Sequence, residues 1–395
     1  MDPILTASEA ALREKARGAA REFVLPLAAD IDTSLQFPPH ALRALADQGL
    51  LGDCLPAEYG GSGNGLLELA VVVEEVAAAS ASVAAVLVSH MGLVALTLAR
   101  YGSEEQKREL LPDLTSGARL ATLAVDGGGS LLRGPGVGVV VADDDGAARL
   151  EGELSSVTGA TAADLFLVPA FLKADARHSA DAAVEQELFL VTADSPGLRV
   201  DDEQPKLGLN GSGTASVTLD AVEVTAGDRL PTETSSASVL AEALDVGRLA
   251  IAALSVGLAQ AALDAALEVA RESADGLSKS QAVQWMLADS ATETEAARLL
   301  TWYAASRSSG VEFSEAAAMA RLLAADSAVA SSRRAVQVFG GRGGLRSTGV
   351  ERLYRDSKVM EILLGPNESQ RLIVARHLLP DLVEGPGERE PWTGN

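Results

Sequence analysis

The chain has 395 residues and a mass of 40.6 kDa, more than one ordinary hydrophobic core holds, so two or three packed units are expected. Hydrophobic residues make up 47% and charged residues 22%, which excludes a disordered chain. The formal net charge of −23 excludes a nucleic-acid backbone or an anionic membrane surface as the main partner, and leaves phosphorylated ligands held by locally placed Arg or Lys.

From the start to about residue 120 the pattern is helical. "SEAALREKARGAAREFVLPLAADID" carries apolar residues on one face, with Ser8 and Glu9 as the expected N-terminal cap and charge. "PPHALRALADQGLL" reads as a further helix with Pro near its start. After the loop "PAEYGGSGNG" comes a long Ala/Val-rich helix pair ending in "SEEQKRELLPDLTSG", apolar on nearly every side and so expected to be buried. Its run "LELAVVVEEVAAASASVAAVLVSHMGLVALTLA" is interrupted by Glu74, Glu75 and several serines, so no unbroken apolar stretch is expected to cross a membrane. The N-terminus "MDPILTASEAALREKARGAA" has no signal-peptide pattern, and the single cysteine, Cys54, fits a reducing compartment. A cytoplasmic location follows as an expectation.

Between residues 121 and 232 the period changes to that of strands. "GVGVVVADDDGAARLEGELSSVTG" reads as strand, turn, strand, and "DLFLVPAFLKAD", "QELFLVTAD" and "TASVTLDAVEVTAG" repeat the form. Strands at short spacing without intervening helices predict a small antiparallel sheet or barrel. From 233 to 382 helices return. Leu244, Ile251, Leu254, Leu258, Ala262, Ala265 and Val269 form one stripe, and the helix count suits an antiparallel four-helix bundle. The fold class is therefore α+β: helical domain, antiparallel β domain, helical bundle. The Pro/Gly-rich tail 383–395 reads as loose. Apolar faces on the bundle predict a dimer or tetramer.

Six segments in this order carry a resemblance: "PAEYGGSG" (56–63), "SEEQKRELLPDLTSG" (103–117), "KLGLNGSGTASVTLDAVEV" (206–224), "LDVGRLAIAALSVGLAQAALD" (244–264), "QVFGG" (337–341) and "VERLYRDSKV" (350–359). Together they make the chain resemble the acyl-CoA dehydrogenase family of flavoproteins over nearly its full length. The resemblance implies FAD held between the sheet and the bundle, with its adenosine end touching a neighbouring subunit. It implies an acyl-CoA or acyl-carrier-protein thioester as substrate, and an electron-transfer flavoprotein as a partner. For FAD it points to Gly129 and Ser130 in "AVDGGGSL", to Thr158 at the flavin's reactive edge, to Arg271, and to Gln337, Gly340 and Gly341 for a neighbour's adenine diphosphate. Ser156 stands where the family places an aromatic ring. Blander readings stand beside these: "DGGGS" as a turn, Arg271 as a cation at a helix C-terminus, Arg355 and Asp356 as a structural ion pair.

The same resemblance exposes a gap. The family removes the thioester α-proton with a Glu as the β-hydride passes to the flavin. That Glu precedes the Gly of a loop which here reads Leu363-Leu364-Gly365-Pro366, so its position is Leu364. Members that carry the base on the facing helix have it where this chain has Gly247. Neither residue accepts a proton. Glu368 matches a Glu of the family loop that is not the base, and Glu361 lies a turn earlier at a commonly acidic position. Asp245 and Arg248 match residues at the pantetheine end of the ligand, and the Leu364 N–H, beside Gly365, matches a donor to the thioester carbonyl. Two readings follow: an acyl-thioester oxidoreductase with its base elsewhere or its flavin chemistry altered, or a non-catalytic or FAD-sharing subunit paired with a catalytic paralogue.

Overall fold

In the computed structural model, which describes residues 5–63, 65–125, 137–142, 148–172, 186–231, 235–273, 276–307 and 310–379, helix α1 (Ala7–Ala19) opens on a capping box. Thr6 Oγ1 accepts the Glu9 N–H at 3.3 Å, and the Glu9 carboxylate accepts the Thr6 N–H at 2.6 Å. The cap is thus Thr6, two residues before the expected Ser8, whose hydroxyl instead meets Thr6 Oγ1 at 3.0 Å. Next come α2 (Ala28–Ser34), α3 (Pro39–Asp47), α4 (Leu66–Ala79), α5 (Ala81–Leu87), α6 (Leu96–Tyr101) and α7 (Glu104–Thr115). Turns of π-helix over Val88–Ala95 join α5 to α6 in one continuous rod.

That rod, Ala81–Tyr101, and α8 (Ser236–Glu272) are long and apolar enough to cross a membrane, contrary to the expectation from the sequence. Their most apolar windows are 100% and 78% buried inside the protein. They are core helices, and neighbours on every side explain their uniform hydrophobicity.

The sheet has seven strands among the described residues: β1 (Ala121–Leu123), β2 (Val137–Ala142), β3 (Ala148–Val157), β4 (Leu165–Leu172), β5 (Gln186–Thr192), β6 (Leu198–Val200) and β7 (Ala215–Val224). The order is β1-β4-β2-β3-β7-β6, with β5 on the other edge of β4. Pairing is mostly antiparallel, as predicted, but β1 and β2 both run parallel to β4. They lie along successive halves of one edge: Ala121–Leu123 faces Leu165–Leu167, and Val137–Val139 faces Ala170–Leu172. A three-residue strand carries no alternation to read, so β1 escaped the sequence pattern.

Beyond α8, the C-terminal part consists of α9 (Gln281–Arg307), α10 (Val311–Phe339), α11 (Val350–Met360) and α12 (Asn367–Leu378). Along α8 the expected stripe is buried from Leu244 to Ala262, then shifts to Ala266 and Ala270, leaving Ala265 and Val269 partly exposed. One large core joins α4–α6 to α8 and α10 and reaches the sheet at Ala121 and Leu123. Arg355 and Asp356 do not pair with each other. Arg355 grips Asp32 with bonds of 2.9 and 2.6 Å and also Glu351, while Asp356 accepts the Leu209 N–H at 2.7 Å. Both tie α11 down just before its C-terminal loop.

Candidate active site

The link between Met360 and Asn367 closes tightly. The Ile362 and Leu363 N–H groups both turn back to Val359 O at 2.9 Å, and Gly365 N–H reaches Ile362 O at 3.1 Å. Between them Leu364 lies at φ 55°, followed by Gly365 at φ 101°. A left-handed non-glycine residue costs about 1 kcal/mol or more and persists where surroundings enforce it. The Leu364 N–H has no hydrogen-bond acceptor among the described residues. The strained turn therefore leaves one donor free.

Leu364 borders a small cavity of about 20 Å³, room for about one water molecule. Its other walls are apolar (Ala85, Val88, Leu93, Leu123, Val125 and Leu363), with the hydroxyl residues Ser89 and Thr158 as the exceptions. No carboxylate or imidazole lines it among the described residues. A Cβ built on Gly247 would lie 3.4 Å from Leu364 Cδ1 and 2.7 Å from Leu93 Cδ2. The two positions singled out for a base thus face each other, and the room at Gly247 is already taken by Leu93.

A chain of small polar contacts fixes the sheet side of this cavity. Thr122 Oγ1 donates to Thr158 O at 2.6 Å, so its single hydrogen is committed. Ser89 therefore donates to Thr122 Oγ1 at 2.7 Å and accepts the Leu123 N–H at 3.4 Å. One residue along, His90 Nδ1 accepts the Ala121 N–H at 3.1 Å, which puts the proton on Nε2, bonded to Leu114 O at 3.0 Å. Burial holds this imidazole neutral, with its pKa lowered to about 4. The Thr158 hydroxyl itself has no partner among the described residues and is available to a ligand.

Behind the loop is a polar cluster that the cavity does not include. Asp245 pairs with Arg248 one turn on and accepts the Ser314 hydroxyl at 3.0 Å. Burial raises the Asp245 carboxyl against the pull of Arg248. Arg321, completely buried on α10, donates through Nη2 to Leu363 O and to Met360 O at 3.4 Å. Its Nε and Nη1, and the Nε of Arg248, are buried without partners among the described residues. Burial, with the Arg248 charge nearby, pulls Arg321 down to about 9, so it stays charged at neutral pH.

The other expected residues lie elsewhere. Arg271 is exposed at the C-terminal end of α8, 24 residues and roughly 36 Å of helix beyond Gly247. Gln337, Gly340 and Gly341 are exposed at the end of α10, where a shared apolar cluster of Ala270, Val338 and Phe339 brings the two helix ends together. Gly129 and Ser130 lie outside the described residues. Glu361 pairs with Lys358, Glu368 is exposed, and neither lines the cavity.

Residues 6–118 match the N-terminal domain of acyl-CoA dehydrogenases, and residues 237–379 match the C-terminal domain. The chain belongs to the acyl-CoA dehydrogenase family. It is 32% identical to an acyl-CoA dehydrogenase of Bacillus subtilis strain 168 over 380 residues, covering 95% of this chain and 99% of that protein. It is 34% identical to the mitochondrial short-chain specific acyl-CoA dehydrogenase of Homo sapiens over 375 residues, covering 93% and 89%. Among solved structures, butyryl-CoA dehydrogenase from Megasphaera elsdenii superposes with a TM-score of 0.88 at 29% identity, covering 96% of this chain and all of that one. Proteins of this family are FAD-binding flavoproteins and oxidoreductases.

Arg321 and Leu93 were missed in the sequence. A lone Arg amid the small residues of "AAAMARLLAADSA" was the available signal for the first, because a charge there must be buried. Leu93 looks like any other core leucine until Gly247 is placed against it.

Proposed function

We propose that this protein is an FAD-dependent flavoprotein of acyl-thioester metabolism whose pocket addresses the CH–CH bond next to the thioester carbonyl but supplies no carboxylate to take the α-proton. The observation that carries this reading is the facing pair Leu364 and Gly247, beside an apolar cavity with a free backbone N–H. An acyl chain suits the apolar walls. The unpaired Leu364 N–H suits the thioester carbonyl, where negative charge grows as the α-proton leaves. Asp245, Arg248 and Gly365 are assigned to the substrate side.

The donor set fits a flavin. Thr158 offers an unpartnered hydroxyl at the cavity, and bound FAD would supply a hydride acceptor there. Arg271, Gln337, Gly340 and Gly341 lie together at the far ends of α8 and α10, Arg271 roughly 36 Å of helix beyond Gly247. They are assigned to a neighbouring subunit's FAD, which makes a dimer or tetramer the working unit. Without a positioned base, proton abstraction is expected to be about 10² to 10⁴-fold slower than with one. An electron-transfer flavoprotein is the proposed acceptor and the cytoplasm the proposed location.

Anaerobic titration of the purified, FAD-loaded protein with saturated acyl-CoA tests the reading. The flavin band is expected to shift on binding while bleaching slowly. A protein that holds no FAD, or whose flavin ignores every acyl-CoA, contradicts it.

A further inference from the structure

We propose that Arg321 is a positioning residue for the thioester carbonyl, acting through the peptide group that joins Leu363 to Leu364. The inference rests on the acyl-thioester reading above. The Leu363 carbonyl and the Leu364 N–H belong to one planar trans unit and point in opposite directions. Arg321 Nη2 donates to that carbonyl, and also to Met360 O at the end of α11. Fixing the oxygen fixes the N–H on the other side, the same N–H that has no protein acceptor. The left-handed φ of Leu364 is the backbone consequence.

The contact does more than orient. A cationic donor on the carbonyl oxygen draws electron density through the amide, which strengthens the N–H as a donor. The charge is also uncompensated. Arg321 makes no ion pair among the described residues, and its charged neighbour Arg248 is itself cationic and engaged with Asp245. An unpaired buried cation is costly, and an apolar residue would fill this position in α10 without that cost. In a wall where solvent does not screen it, the charge favours an anion forming on the far side of one peptide group. The pocket thus stabilises an enolate while lacking the group that would generate it.

A 3-oxoacyl-CoA tests this without a protein base. Its C2 proton passes to solvent, and the electron pair spreads over the two carbonyl oxygens, giving near-ultraviolet absorbance. The measurement is the pH at which this ligand enolises when bound to the FAD-loaded protein. Wild type is expected to enolise it at lower pH than in free solution. Arg321→Met should move the midpoint up by about one unit or more, with affinity for the neutral ligand changed only a few-fold. Arg321→Lys should restore most of the shift. Arg321→Gln, neutral but still a donor, replaces the Met variant if that one does not fold, and is expected to show a smaller loss in the same direction, the part that the charge supplies. Equal midpoints in wild type and the neutral variants overturn the role of Arg321 and leave the acyl-thioester reading standing. Failure of FAD-loaded wild type to bind the ligand overturns both.

Discussion

Gly247→Ala places a single methyl where two leucines already meet. The new Cβ would lie 2.7 Å from Leu93 Cδ2, closer than carbon atoms pack, and 3.4 Å from Leu364 Cδ1. Leu93 is only 3% exposed, so its side chain must shift within a filled core. Overpacking of this kind costs about 1–3 kcal/mol. Against it, replacing Gly by Ala inside α8 gains about 1 kcal/mol of helix propensity. The expected net is a loss of about 0–2 kcal/mol. Leu93→Val removes the offending Cδ2 and leaves the former Cγ at 3.7 Å, at a cost of about 1 kcal/mol by itself. In the double variant the alanine's penalty should vanish, leaving its helix gain, with a favourable coupling of about 1 kcal/mol or more. Urea unfolding of wild type, both single variants and the double variant closes the cycle. Strict additivity would refute the steric reading. The same geometry predicts that Gly247→Glu alone cannot install a working base, because Leu93 occupies its path.

Two further outcomes follow. His90 is neutral in the fold, with its pKa lowered from 6.5 to about 4. Its contribution is fully present above pH 6.5 and is lost as pH falls toward 4, up to about 3 kcal/mol. Unfolding midpoints across that window should fall less steeply in His90→Gln than in wild type, and parallel slopes would contradict the assignment. Arg271→Ala, at an exposed helix end, should leave the unfolding midpoint nearly unchanged while lowering the FAD retained per chain after dialysis; unchanged retention would remove Arg271 from the cofactor site.

Much of the fold was legible because the hydrophobic period changes twice along the chain. Strands Leu165–Leu172, Gln186–Thr192 and Ala215–Val224 were visible as alternating or apolar runs bounded by turns. The parallel pairing of Ala121–Leu123 was not, since it depends on a contact across 44 residues. Thr6 was overlooked as a cap because Ser8 sits closer to the first apolar face, yet only Thr6 is three residues from Glu9. At the site, Leu364 and Gly247 could be named from their motifs, and the structure sets them face to face. The free N–H, the left-handed turn that exposes it and the buried Arg321 behind it are properties of backbone geometry, which side-chain identity does not encode.

If an acyl-thioester pocket here lacks only its proton acceptor, Leu364→Glu should restore one. The carboxylate would stand beside Leu93 and Gly247 in a mainly apolar wall, where burial raises its pKa toward neutrality and suits it to proton abstraction. The measurement is the rate of flavin reduction on anaerobic mixing with saturated acyl-CoA, compared between FAD-loaded wild type and variant. The variant is expected to reduce its flavin about 10² to 10⁴-fold faster. An FAD-loaded variant with no gain at any acyl chain length, or a wild type already as fast, would contradict this reading.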